Sequence, residues 1–248
     1  MLAARALRPG LLAFCLFAPL AGLADEATKP RTADFASERA SRDVRAVAGW
    51  IVHAGDNRIG DGKKLPFAIL DKKDARVYVF ESEGTLRGAT PALLGVGRGD
   101  VAKPGIGAQE LSGIAPRDRV TQAGRFVSEL GVDSHGDDVL WLDYDGALAM
   151  HRVITSDPSQ RREHRLATPT TSDNRISFGC INVPVKFYEE IVQRSFAGTK
   201  GIVYVLPETR SLRAVFASYR PPNLIRPKSA GQQTSPARRR KLSSDTND

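Results

Sequence analysis

Cysteine is nearly absent. The 248-residue chain has two, Cys15 and Cys180, and only Cys180 lies beyond the first two dozen residues. One thiol excludes a disulfide framework in the body of the chain. Histidine is scarce as well, with four residues, and no His/Cys/Asp cluster has metal-ligand spacing, so neither a metal nor any other cofactor is expected. Beyond residue 24 no apolar run is long enough to span a bilayer, and no internal repeat is visible. Excess charge is also missing from the body. Of the formal net charge of +8, Arg5 and Arg8 carry two and the segment from Tyr219 onward carries five. The residues between are close to neutral. A nucleic-acid reader carries its positive charge on its fold, so a nucleic-acid partner is not expected.

What is present begins with a leader. Residues 1–24 combine Arg5 and Arg8 with an apolar stretch over 11–24 that ends in Gly22-Leu23-Ala24. This pattern predicts a cleaved signal peptide, export across the inner membrane and a periplasmic mature protein. Phe14 before Cys15 departs from a lipoprotein site. The last forty residues, 209–248, are rich in Pro, Ser, Gln and Arg and poor in apolar residues. They read as a disordered basic tail, solvated or attracted to anionic surfaces such as a membrane or wall polymers.

Between these ends, apolar residues recur at helical spacing over 32–54, within an N-terminal helical segment at 25–64. The pattern then changes to short strands: 67–70, 77–80, 121–130, a hairpin over 139–153 turning at Asp145-Gly146, and 201–207. A glycine-rich irregular stretch fills 91–114, and a polar, arginine-rich stretch fills 155–175. Pro184 suits the first turn of a helix over 184–196, with Asn182 as its cap. The sum is a mostly β domain over 65–208 with one or two packed helices, preceded by an N-terminal helix.

An unpaired thiol in an oxidising compartment is buried, paired between chains or used. Use requires a base, a group that orients the base, and donors for an oxyanion. Cys180 follows Gly179, where backbone approaches a substrate closely, and precedes the expected helix start, whose dipole favours a thiolate. The N–H groups of Gly179 and Cys180 are candidate oxyanion donors. Of the histidines, His53 ends the first helix, His135 lies in a turn and His164 lies in the arginine-rich stretch. His151 ends the returning hairpin strand, where a rigid element displays a side chain beside a loop, and is the preferred base. The competing reading is an inert buried cysteine.

His151 followed by Ser177-Phe178-Gly179-Cys180-Ile181-Asn182 resembles the signature of the L,D-transpeptidases with a YkuD-type catalytic domain, and residues 121–126, Thr-Gln-Ala-Gly-Arg-Phe, resemble a strand of that family. The resemblance covers about residues 75–207. It implies a YkuD-like β-sandwich and a cysteine acyl transferase of cell-wall biogenesis and cell shape, acting on peptidoglycan stem peptides. Carried onto this chain, it makes Cys180 the nucleophile and His151 the base, with the carbonyl of Arg152 orienting the imidazole. Ser177, Phe178 and Gly179 then shape the oxyanion hole, and Arg175 and Asn182 are placed to hold substrate carboxylates or amides. Three features depart from the family pattern. His151 and Cys180 are 29 positions apart, a long spacer; Phe178 stands where the family often has histidine; and Arg152 stands where glycine is common. The acyl acceptor is open: a second stem, a lipoprotein lysine, or water, which would give an L,D-carboxypeptidase or a lipoprotein-releasing hydrolase. Readings of other classes are a non-catalytic wall-binding protein and a thiol redox sensor.

Overall fold

The computed structural model describes residues 32–221. The expected signal peptide, and the expected tail beyond 221, lie outside the described residues. The first helix, α1 (Arg42–Ala54), is capped by Ser41, whose side-chain oxygen accepts from the Val44 N–H at 3.2 Å, and it stops at Gly55 in the left-handed conformation. It is shorter than the periodicity over 32–54 suggests. Residues before Ser41 are held otherwise: the Asp34 N–H donates to the Gly84 carbonyl, and the Leu86 N–H donates to the Asp34 carbonyl, both at 2.9 Å. Those backbone groups are therefore already paired with a distant turn.

A small hairpin, β1 (Arg58–Ile59) and β2 (Lys63–Lys64), leads into β3 (Phe67–Asp71), β4 (Arg76–Phe80), β5 (Leu86–Pro91) and the short β6 (Leu94–Gly95). A long loop with three 3-10 turns separates β6 from β7 (Gly124–Val132). Then come β8 (Asp138–Asp143), β9 (Leu148–Arg152), the short helix α2 (Arg162–Ala167), β10 (Arg175–Ser177) and β11 (Ile181–Val183). A final helical run comprises α3 (Val185–Phe187), a π-helical stretch at Tyr188–Gln193 and α4 (Arg194–Phe196); β12 (Gly201–Val205) and α5 (Leu212–Val215) follow. The main sheet has eight strands in the order β11-β9-β8-β7-β12-β3-β4-β5, and β10 pairs with β6 in a separate parallel ribbon. The fold is mostly β with a few packed helices, as expected.

Residue parity explains the layers. In β3, β4 and β12 both faces are buried, so these strands read as continuous apolar runs. Ala68, Leu70, Val77, Val79, Val203 and Val205 face one core, which also takes Leu140, Met150, Ile181 and Val183 from the far half of the sheet. The sheet thus curls around this cluster. Phe67, Ile69, Tyr78, Phe80, Ile202 and Tyr204 face a second core under α1. Phe216 and Tyr219 join that second core against Trp50, with ring centroids 6.3 and 5.5 Å from it. The stretch 209–221 therefore packs through these two aromatics together with Leu212 and Val215, where its composition suggested disorder. In β9 and β11 the core takes Met150, Ile181 and Val183. Period-two alternation turns Ala149, His151, Cys180 and Asn182 to the other face.

A buried ionic cluster ties the long loop to the rest. Lys72 Nζ donates to Asp100 Oδ1 at 2.8 Å and to the Thr121 carbonyl at 2.9 Å, and Lys72 and Asp100 have no exposed side-chain surface. Asp100 also accepts from the N–H groups of Glu208, Thr209 and Arg210. This cluster fixes both ends of the loop between β6 and β7.

Candidate active site

The parallel pairing of β11 with β9 sets Asn182 opposite His151 and Ile181 opposite Met150, which brings Cys180 beside Ala149. The chain thus places Cys180 and His151 on one face of the sheet edge, although the spacer between them is long. The spacer folds as α2 with a preceding 3-10 turn and the strand β10.

His151 Nδ1 lies 2.7 Å from the Arg152 carbonyl. A carbonyl only accepts, so Nδ1 carries the proton and Nε2 is the basic nitrogen. Asn182 lies 1% exposed, and its Oδ1 accepts from Arg162 Nη1 at 2.7 Å. A guanidinium only donates, so this contact fixes the amide orientation. Asn182 Nδ2 then donates to His151 Nε2 at 3.2 Å, in agreement with the same tautomer. Burial lowers the imidazole below its ordinary pKa, the Arg152 carbonyl works against this, and the Arg162 charge adds to the lowering. The result is a neutral imidazole with its lone pair on the thiol's face of the sheet.

The Cys180 thiol donates to the Ala147 carbonyl at 3.5 Å, and no hydrogen bond joins it to His151. Burial pushes the thiol up, while a hydrogen bond from the Ala149 backbone works the other way. Cys180 opens into a cavity of about 90 Å³ between the long loop and the β8–β9 turn, lined by Ile106, Ile114, Ala147, Leu148 and Phe178 among others. Gly107 makes this fit possible: a Cβ there would meet the Asp145 carbonyl oxygen at 2.3 Å.

The residues before the thiol form a tight bend. Ser177 Oγ donates to the Cys180 carbonyl at 2.6 Å and accepts from the Gly179 N–H at 3.1 Å. Gly179 has φ +139, and a Cβ on it would stand 3.1 Å from the Val120 carbonyl oxygen, so only glycine fits without strain. Its own carbonyl accepts from Thr121 Oγ1 at 2.7 Å, and that same oxygen accepts from the Gly95 N–H. Phe178 lies under Arg119, whose guanidinium carbon is 3.9 Å from the ring centroid. Phe178 therefore grips the long loop by a cation–π contact.

Several expected roles change. Arg175 is not placed to hold substrate: its fork binds both oxygens of Glu208, at 2.8 and 3.2 Å, and donates to the Lys72 carbonyl, with the side chain 8% exposed. Asn182 is neither a helix cap nor a substrate contact, because it is a buried strand residue whose amide is spent on Arg162 and His151. Cys180 precedes β11 and not a helix, so no helix dipole acts on the thiol. The Gly179 N–H is engaged by Ser177, which removes it from the expected oxyanion pair in this conformation. The Arg152 side chain pairs with Asp138 and Glu189; its carbonyl accepts from His151 Nδ1. His53, His135 and His164 are all exposed and make no contact with the thiol. Two contributors were hidden in the sequence. Arg162 was one of five arginines between His151 and Cys180, and nothing in its spacing singles it out. Thr121 lay within the strand-like Thr-Gln-Ala-Gly-Arg-Phe stretch, where its side-chain oxygen carries no local signal.

No protein-family model and no curated protein matches this chain. Solved structures do match. A point mutant of the helical cell shape determining protein Pgp2 from Campylobacter jejuni is 17% identical, over 65% of this chain and 55% of that one, with a TM-score of 0.40. A mutant of the Enterococcus faecium L,D-transpeptidase is 15% identical over 58% and 51%, with a TM-score of 0.33. The L,D-transpeptidase from Mycobacterium smegmatis is 16% identical over 58% and 59%, with a TM-score of 0.34. This chain spans little more than half the length of these structures. Scores this low record a similarity and decide nothing about the site.

Proposed function

We propose that the protein is a periplasmic cysteine acyl transferase of the L,D-transpeptidase kind, acting on peptidoglycan stem peptides. The observation that carries the reading is the shared sheet face of Cys180 and His151, with the His151 Nδ1 proton held by the Arg152 carbonyl. This is the arrangement a thiol nucleophile needs from its base and the base's orienting group. In the first half-reaction the Cys180 side chain turns from the Ala147 carbonyl toward His151 Nε2, and Asn182 releases that nitrogen. The sulfur attacks the scissile carbonyl carbon, and the thiol proton passes to Nε2. The carbon–nitrogen bond to the terminal D-Ala breaks, and the leaving amine takes the proton from His151. The thioester then transfers its acyl group to an incoming amine. The same base removes the amine proton, and the thiol is restored.

The test is mass spectrometry of tetrapeptide-stem muropeptides after incubation with the protein, beside Cys180→Ala and His151→Ala. The expected products are dimers joined between third residues, absent with both variants. Loss of terminal D-Ala alone assigns the acceptor as water, a carboxypeptidase. No change with the wild-type protein removes the catalytic reading for this substrate and leaves wall binding or thiol redox chemistry.

A further inference from the structure

Arginines surround the site, and nearly all are engaged. Arg152 is paired with Asp138 and Glu189, and Arg175 with Glu208. Arg119 stacks on Phe178 and donates to the Ile114 carbonyl, and Arg165 donates to the carbonyls of Gln160 and Asp173. Arg162 differs. Its Nε donates to Gln160 Oε1 at 2.6 Å and its Nη1 to Asn182 Oδ1 at 2.7 Å, both neutral acceptors. Among the described residues it makes no ion pair, and its Nη2 makes no hydrogen bond.

We propose that Arg162 is the carboxylate-binding residue of this site, taking a carboxylate that the acyl donor carries beside its scissile carbonyl. The inference rests on the acyl-transfer reading above and adds to it the residue that selects the donor. The guanidinium is half-buried and lies one side chain removed from His151 through Asn182. A cation that has lost part of its water without gaining a carboxylate is costly to keep, and an incoming anion offsets that cost. Burial already lowers the guanidinium from its ordinary value. The two bonds to Gln160 and Asn182 hold the planar fork in place, which suits it to a carboxylate arriving at Nη2. An open depression beside it is lined by Arg162, Arg161, Thr155 and His164, together with Asp157 and Glu163. Asp157 accepts from Ser159 and Gln160 and makes no ion pair with Arg162, although its charge acts on the guanidinium. The charges acting on His151 include Arg162 on α2 and Asp133 and Asp137 on the β7–β8 turn, and of these three Arg162 is the cation.

The experiment measures binding of the tetrapeptide L-Ala–D-isoGlu–diaminopimelate–D-Ala, and of three versions each amidated at one carboxylate, to Cys180→Ser protein. Each is compared with Cys180→Ser/Arg162→Gln and Cys180→Ser/Arg162→Lys. The expected result is an affinity loss of about ten- to hundredfold for the free acid on Arg162→Gln. One amidated peptide should show that loss with Arg162 intact and no further loss without it, and Arg162→Lys should recover part of the affinity. An equal loss for all four peptides overturns the proposal and leaves Arg162 as the residue that orients Asn182. Arg162-dependent binding of the free acid without turnover by the wild-type protein keeps this proposal and removes acyl transfer. Failure of every peptide to bind folded Cys180→Ser overturns both.

Discussion

At the scale of single residues, the thiol and the imidazole are shifted in opposite directions. Burial raises Cys180 and lowers His151, so both are uncharged near neutral pH. The resting pair is then thiol and imidazole, with no preformed thiolate. Iodoacetamide should therefore alkylate Cys180 more slowly than it alkylates free cysteine at pH 7.5. The rate should rise only at a pH above that of an ordinary thiol, because the thiolate is the reacting species. A fast rate already level from pH 6 upward would mean a thiolate–imidazolium pair and sink this reading. The same scale shows how much of the site was legible. Cys180 and His151 were visible because thiols and imidazoles are rare in this chain and flank recognisable turns. Arg175 was misjudged because a strand arginine next to a motif looks available until its partner, Glu208, comes from 33 positions away. Asn182 looked like a cap because Pro184 follows it, but β-pairing on both sides claims its backbone, with Leu93 and with β9.

At the scale of elements, the long loop is held by chemistry that is unusual inside a protein. Burial alone would raise the Asp100 carboxyl. Hydrogen bonds from Lys72, Thr209 and the Glu208 and Thr209 N–H groups overcome that and hold it well below the usual carboxylate range. Burial also lowers the Lys72 ammonium, against the pull of Asp100 and Glu208. Replacing Asp100 with Ala leaves Lys72 buried beside an empty position and orphans three backbone donors. The expected loss is about 3–5 kcal/mol of unfolding free energy, read by urea titration. Because the folded Asp100 pKa is depressed, its contribution is present above the ordinary carboxylate pKa. It is lost as pH falls through the folded value, so the wild-type advantage over Asp100→Ala should shrink in acid. A loss under about 1 kcal/mol at neutral pH would show that the cluster does not hold the loop. None of this was readable in the sequence. Lys72, Asp100, Arg175 and Glu208 are scattered along it, and each alone reads as a solvated charge.

At the scale of the whole molecule, the sheet gives one core to its curled interior and a second to α1 and the segment carrying Phe216 and Tyr219. Strand positions were legible because β3, β4 and β12 are unbroken apolar runs, and the Asp145-Gly146 turn announces the β8–β9 hairpin. The packed end was not, since Phe216 and Tyr219, with Leu212 and Val215 beside them, are spaced among arginines and serines that read as tail. Phe216→Ala should cost about 3–5 kcal/mol and lower the melting temperature in calorimetry; an unchanged transition would return this segment to the tail. The narrow space over Cys180 has a consequence of another kind. Its volume is about 90 Å³, and Gly107 seats the long loop directly on the Asp145 backbone. The narrowness of this space favours slim reagents over broad ones at the sulfur. Small electrophiles reach the sulfur at the rate set by its ionisation. Under the proposed acyl transfer, a stem peptide wider than this space reaches the sulfur only as the loop parts from the hairpin.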